Sequence, residues 1–192
     1  YGEVPAFLRA LRVHPGVAAR CLEFTILTAA RTGESIGAQW SEFDLDAALW
    51  TVPAERMKAR EPHAVHLSER SLAILDGLRV LGSLLVFPSA RDMSRPLSNM
   101  AMLALLKRMK RHDITVHGFR SSFSTWANET AAARPDVIEA CLAHRESDKI
   151  RAAYNRAQFA GERRGLLEAW ADYLDGREPA SNVIALTGAK AA

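Results

Sequence analysis

The apolar positions of this chain recur mainly at helical spacing, and short stretches of another period interrupt them. Val4, Phe7, Leu8 and Leu11 fall on one face at 3.6 residues per turn, which predicts an opening helix ended by His14-Pro15-Gly16. A second helix is predicted over 17–30, with Leu22, Phe24, Ile26 and Leu27 on its apolar side. Arg31-Thr32-Gly33-Glu34 interrupts it, and a short helix follows over 35–39. The period then shortens. Leu49-Trp50-Thr51-Val52 and Val65-His66-Leu67 are rich in strand formers, and 44–46 can add a short preceding strand. Between them, 53–62 is polar and bounded by prolines, which reads as a hairpin with a long tip. Helices resume at Ser68, an N-cap candidate, and run to Val80. Residues 85–88 read as a short extended piece, and Ser98 can cap a helix ending near Lys110. Further helices are predicted over 117–129, 135–142, 147–155 and 158–174. The fold class is therefore mainly α with one small antiparallel β-sheet (α+β). The expected domain spans 1–177, and the Ala/Gly/Ser-rich 178–192 reads as a flexible tail.

Composition narrows this picture without redirecting it. Of 192 residues, 48% are hydrophobic and 24% charged, a balance that excludes wholesale disorder and suits one domain, or one with a small appendage. The net charge of +3 is small, but unevenly placed. Residues 101–165 carry 12 basic and 7 acidic groups, including Lys107, Arg108, Lys110 and Arg111, whereas 1–50 carry 4 and 6. A basic stripe on a near-neutral body suits an anionic polymer, although a solvated helix face produces the same run. Cys21 and Cys141 stand in apolar helical contexts with no CxxC spacing, so a disulfide framework and a zinc ribbon are excluded. Both thiols are expected to be buried and reduced, as in a cytoplasmic protein. No apolar run approaches the ~20 residues that span a bilayer, so no membrane partner is expected. The chain opens Tyr1-Gly2-Glu3 without Met, as an excised fragment does.

Candidate chemistry centres on residues 116–126. At about 100° per residue, Phe119, Phe123 and Trp126 share one face, and His117, Arg120 and Ser124 share another. A His and an Arg side by side at a helix start suit a phosphate, though His-x-x-Arg alone is a common chance pattern. Arg31 follows an apolar helix and is expected to be half buried, with Glu34 as its structural partner or a substrate phosphate as its functional one. Taken singly, Lys58 is a solvated lysine, His144 a helix-end residue and Tyr154 a packing residue that shares a face with Ile150.

In order, these residues form a constellation: Arg31, Lys58, His117-x-x-Arg120, His144, Tyr154. With the stretches 27–34, 50–68, 117–129 and 141–156, the chain resembles the catalytic domain of the tyrosine recombinases, the phage-integrase family, and looks most like integrases of P4-type prophages and genomic islands. The resemblance covers about residues 5–175. His66 stands where relatives often have Pro, and the family's N-terminal DNA-binding domains have no counterpart in these residues. The resemblance implies the family's catalytic-domain fold and a site-specific recombinase that cleaves and rejoins DNA through a covalent 3′-phosphotyrosine. It implies no cofactor and no metal. The implied partners are double-stranded DNA at attachment sites and, for the full-length protein, a homo-tetramer in the synaptic complex. It also implies action in the bacterial cytoplasm, at the nucleoid. In this reading Arg31, Arg120 and His144 stabilise the phosphate, Tyr154 is the nucleophile, His117 the base, and Lys58 the acid for the leaving 5′-oxygen. A type IB topoisomerase-like activity is open to the same residues, and a DNA-binding module without turnover is the alternative outside enzymes. No GxxxxGK[ST] loop for a nucleotide is present.

Overall fold

A computed structural model describes residues 1–144 and 159–177 of the chain. Its elements are α1 (Val4–Arg12), α2 (Val17–Thr28), α3 (Thr32–Ile36), β1 (Phe43–Asp44), β2 (Leu49–Val52), β3 (His63–His66) and α4 (Glu69–Arg79). These are followed by β4 (Pro88–Ser89), β5 (Asp92–Pro96), α5 (Ala101–Arg108), α6 (Val116–Glu129), α7 (Pro135–Cys141) and α8 (Ala160–Asp175). Two 3₁₀ turns, Trp40–Glu42 and Ala54–Arg56, flank the first sheet strands. The predicted helix over 147–155, the nucleophile candidate Tyr154 and the predicted tail from 178 lie outside the described residues.

Helix α2 forms the centre of the molecule. Leu22, Phe24, Ile26 and Leu27 are buried, and α1, α3, α4, α5, α6 and α8 all pack around it. The helix is apolar nearly all round because it has neighbours on every side. Two aromatic groups flank it. Phe24 meets Trp50 and Phe87, each at 5.4 Å between ring centroids. On the other side Phe123, Trp126, Trp170 and Tyr173 form a second cluster, and the Trp170 indole donates to the Ile26 carbonyl at 2.9 Å.

One charged group lies inside this core. Glu23 is fully buried and accepts from Arg12 (2.6 Å), Arg20 (3.1 Å) and Arg70 (2.8 and 3.0 Å). Arg12 also donates to Asp175 at 2.6 Å. A single carboxylate thus ties α2 to α1 and α4, and through Arg12 to the end of α8. Burial pushes the Glu23 carboxyl up, but the bonds from Arg70 and Arg12 outweigh it and hold its pKa below the ordinary range.

The sequence expectations hold for most helices and fail at several boundaries. The expected break is present but falls at 29–31, and Thr32, Gly33 and Glu34 are already helical. Arg31 is the N-cap of α3, and the Glu34 carboxylate accepts the Arg31 backbone N–H at 2.8 Å, so α3 starts three residues early. Ala29 ends α2 in the left-handed region (φ 49°), which is what separates the two helices. Ser68 caps α4 as expected, accepting from the Ser71 N–H at 3.3 Å. Ser98 does not cap α5, which starts at Ala101 after Met100. There are two small sheets among the described residues, not one. The order β1-β2-β3 is antiparallel throughout, with Trp50 opposite Val65 and Val52 opposite His63, and β4-β5 forms a separate hairpin. That hairpin left no alternating pattern because every residue of β5 is exposed. Both cysteines are free and buried, as expected. No helix among the described residues is long and apolar enough to cross a membrane.

Candidate active site

The first arginine of the constellation is fixed by the geometry of α3. Its backbone N–H and its Nη1 both donate to the Glu34 carboxylate, each at 2.8 Å. Its Nη2 reaches the carbonyls of Leu142 (3.4 Å) and Ala143 (3.3 Å), just past the end of α7. Glu34 is therefore the partner of Arg31, as the structural reading of that pair required. The side chain remains 31% exposed, so part of the guanidinium is still open to a ligand.

The second arginine comes from the opposite direction. Helix α6 begins at a Thr115 cap, whose hydroxyl accepts from the Gly118 N–H at 3.1 Å. Phe119, Phe123 and Trp126 are buried as their spacing predicts, but so is Arg120, although it lies away from them on the helix. Its guanidinium donates to the Ala29 carbonyl at the end of α2 and to the Leu142 carbonyl at the end of α7. Both are carbonyls that a helix end leaves without an intrahelical partner. Leu142 thus accepts from both arginines and holds the two guanidinium groups side by side. Burial, and next the charge of Arg31, lower the Arg120 pKa to about 10, which still leaves it protonated at neutral pH. Arg120 donates to neutral carbonyls and Arg31 pairs with Glu34, so in these bonds two neighbouring cations share one carboxylate, and a bound anion would stabilise the pair.

Arg31, Lys58, Ala59, Ala143 and His144 line one open cleft of about 340 Å³. Lys58 enters from the tip between β2 and β3, where Met57 is buried and Lys58 exposed. His144 follows α7 and pairs through Nδ1 with Glu139 at 2.6 Å. Ala143 is left-handed (φ 46°), and this turn carries the chain from the carbonyls shared by the arginines to His144. His63, in β3, is 9% exposed. Burial foremost, with the charge of Arg163 next, lowers its pKa to about 4, while Glu34 and a bond to the Cys141 backbone act the other way. Burial raises the Cys141 thiol to about 11, so it is no nucleophile at neutral pH.

The fold therefore brings Arg31, Lys58 and His144 to one cleft and joins Arg120 to Arg31 through Leu142. His117 lies one turn before Arg120 on α6 and is exposed, but it does not line that cleft. A larger cleft of about 540 Å³ between the start of α1 and the start of α6 contains none of the constellation. Arg56, which flanks Lys58 at the tip and could be taken for it, and His63, which no motif marks, both have partners distant in the chain.

The sequence profile of the phage integrase family matches residues 3–160. The chain belongs to this family. Among its relatives, it is 36% identical over 187 residues to the prophage integrase IntA of Escherichia coli K12, covering 95% of this chain and 45% of that protein. It is 41% identical over 177 residues to the prophage integrase IntZ of the same strain, covering 90% and 44%. It is 32% identical over 191 residues to the integrase of Enterobacteria phage P4, covering 89% and 44%. This phage-integrase chain thus spans less than half the length of these relatives. In fold it is similar to a lambda integrase dimer solved bound to a COC′ core site, with a TM-score of 0.56 and 20% identity over 79% of this chain and 45% of that one.

Proposed function

We propose that this chain is the strand-cleaving and strand-joining domain of a site-specific DNA recombinase, with residues 1–177 as the catalytic unit. One observation carries the reading: Arg31 and Arg120, from different helices, share the Leu142 carbonyl beside a cleft that also holds Lys58 and His144. Guanidinium groups match the non-bridging oxygens of a phosphodiester and remain charged at neutral pH. Preorganised donors of this kind are each worth about 2.7–4 kcal/mol in the transition state.

The reaction balances without nucleotide or metal. The Tyr154 hydroxyl attacks the phosphorus, and its proton passes to His117. The bond from phosphorus to the 5′-oxygen breaks, and Lys58 protonates that oxygen. The product is a 3′-phosphotyrosine and a free 5′-hydroxyl, which can reverse the step or rejoin another strand. Double-stranded DNA is the substrate. The longer parent acts as a tetramer on two duplexes, in the bacterial cytoplasm at the nucleoid.

The test is incubation of the chain with nicked duplex DNA, followed by a denaturing gel. A protein–DNA band that survives denaturation, together with rejoined strands, is the expected result. A complex seen only under native conditions would reduce the chain to a binding module. Relaxation of supercoiled plasmid without strand exchange would make it topoisomerase-like.

A further inference from the structure

Two residues before Lys58, Arg56 ties the tip to the body of the domain, beside the buried Met57. Arg56 closes the 3₁₀ turn Ala54–Arg56, and its Nη1 donates to both Glu42 oxygens at 2.5 Å. Its Nη2 donates to the Glu34 carbonyl and, at 3.4 Å, to the Gly33 carbonyl. Both carbonyls belong to α3, the helix that Arg31 caps and Glu34 locks. Glu42 is itself held, accepting the Trp50 indole N–H at 2.9 Å, and its side chain is only 7% exposed. Gly37, at the end of α3, makes room for the clamp. A Cβ there would stand 2.9 Å from Arg56 Nη2 and 3.4 Å from its Cζ. The backbone at Gly37 (φ −93°) is open to any residue, so what a side chain would meet there is the Arg56 guanidinium, which would have to shift, and the Gly33 carbonyl at 3.3 Å.

We propose that Arg56, seated between Glu42 and α3 in the space left by Gly37, is a positioning residue that sets Lys58 against Arg31. Arg56 does not line the cleft, and both of its Nη groups donate to protein groups. Its effect on chemistry therefore passes through the tip. The inference rests on the proposed role of Lys58 as acid for the leaving oxygen. A general acid contributes about 10²–10⁴-fold, and a displacement of about 1 Å can cost on the order of 10²-fold.

The experiment has two readouts on the 192-residue chain. The first is hydrogen exchange of the tip amides over 53–62, which needs no catalysis. Arg56→Ala and Gly37→Ala should each raise exchange there, and Gly37→Ala added to Arg56→Ala should add nothing. The second is cleavage of two nicked substrates, one with oxygen and one with sulfur at the bridging 5′ position. A thiolate leaves without a proton, so the sulfur substrate does not need the acid. Arg56→Ala should cleave ordinary DNA about 10–10²-fold more slowly, yet stay within a few-fold of wild type on the sulfur substrate, in parallel with Lys58→Ala. Gly37→Ala adds only a methyl group and should show a weaker form of the same selectivity, which covers the case in which Arg56→Ala fails to fold. Unchanged tip exchange in both variants, or equal slowing on the two substrates, overturns the positioning role. If wild type forms no adduct on either substrate, the recombinase reading falls, and the exchange measurement still decides the clamp.

Discussion

Replacing His63 by Gln should remove a specific acid sensitivity from folding. His63 sits in β3 opposite Val52, 9% exposed, and interacts with Glu34 of α3 and the backbone of Cys141 at the end of α7. Burial and the charges of Arg163 and Arg120 oppose its protonation, while Glu34 and the Cys141 backbone favour it, and the net pKa is about 4 against an ordinary 6.5. In the unfolded chain the ring takes up a proton near pH 6.5, whereas in the folded chain it does so only near 4. Between these values the unfolded state binds more protons, so stability is full above pH 6.5 and is lost as pH falls toward 4. At about 1.4 kcal/mol per tenfold change in the proton equilibrium, the loss is about 3 kcal/mol. With a urea m-value of about 2 kcal/mol per molar, that lowers the midpoint by roughly 1.5 M. Glutamine offers a neutral amide in place of the ring and does not titrate. Urea unfolding followed by the fluorescence of buried Trp50 and Trp170 should show the midpoint of wild type falling more steeply than that of His63→Gln across this window. Carboxylates titrate in both proteins and cancel in the difference. Parallel midpoint profiles between pH 4 and 6.5 would mean that His63 does not carry this acid sensitivity.

Three further outcomes follow from particular side chains. Glu23→Gln leaves Arg12, Arg20 and Arg70 without their shared buried carboxylate and should cost about 3 kcal/mol, read as a melting point lower by roughly 6–12 °C. Lys107, Arg108 and Lys110 are exposed, whereas Arg111 is bound to Asp113 at 2.9 and 2.8 Å, so the basic run divides. Replacing the first three by Ala should flatten the salt dependence of DNA binding by up to about 0.9 for each phosphate they neutralise, and Arg111→Ala should leave it unchanged, as measured by anisotropy titrations. Arg31→Ala should slow single-turnover adduct formation by about 10²–10³-fold on oxygen and sulfur substrates alike, since phosphate stabilisation is needed for both.

The helices were legible wherever one face alternates with solvent. The spacing of Phe119, Phe123 and Trp126 located α6 and its buried side correctly. The same spacing gave no hint that Arg120 is buried too, because its partners are carbonyls from α2 and α7, 91 and 22 residues away. The start of α3 was missed for a related reason: Thr32-Gly33 reads locally as a break, and the Glu34 carboxylate that restores the helix acts through the backbone of Arg31. The β4-β5 hairpin is solvated along β5, and a solvated strand has no burial period to display. In the site, the constellation was readable only as an ordered set, since each member has an ordinary surface explanation. The structure brings Arg31, Lys58 and His144 together, ties Arg120 to Arg31, and leaves His117 exposed one turn away. Arg56 and His63 had no signature in the sequence, because what distinguishes them is which distant groups they meet.

Peptide mapping of the trapped adduct decides whether the chain carries its own nucleophile. The chain is incubated with nicked duplex DNA so that the short cleaved strand diffuses away. The covalent species is then digested with nuclease and trypsin and analysed by mass spectrometry. A nucleotide phosphate is expected on the tryptic peptide 152–156, at Tyr154, with no adduct from a Tyr154→Phe variant that still binds DNA. An adduct on any other residue, or an undiminished adduct from Tyr154→Phe, would contradict Tyr154 as the nucleophile.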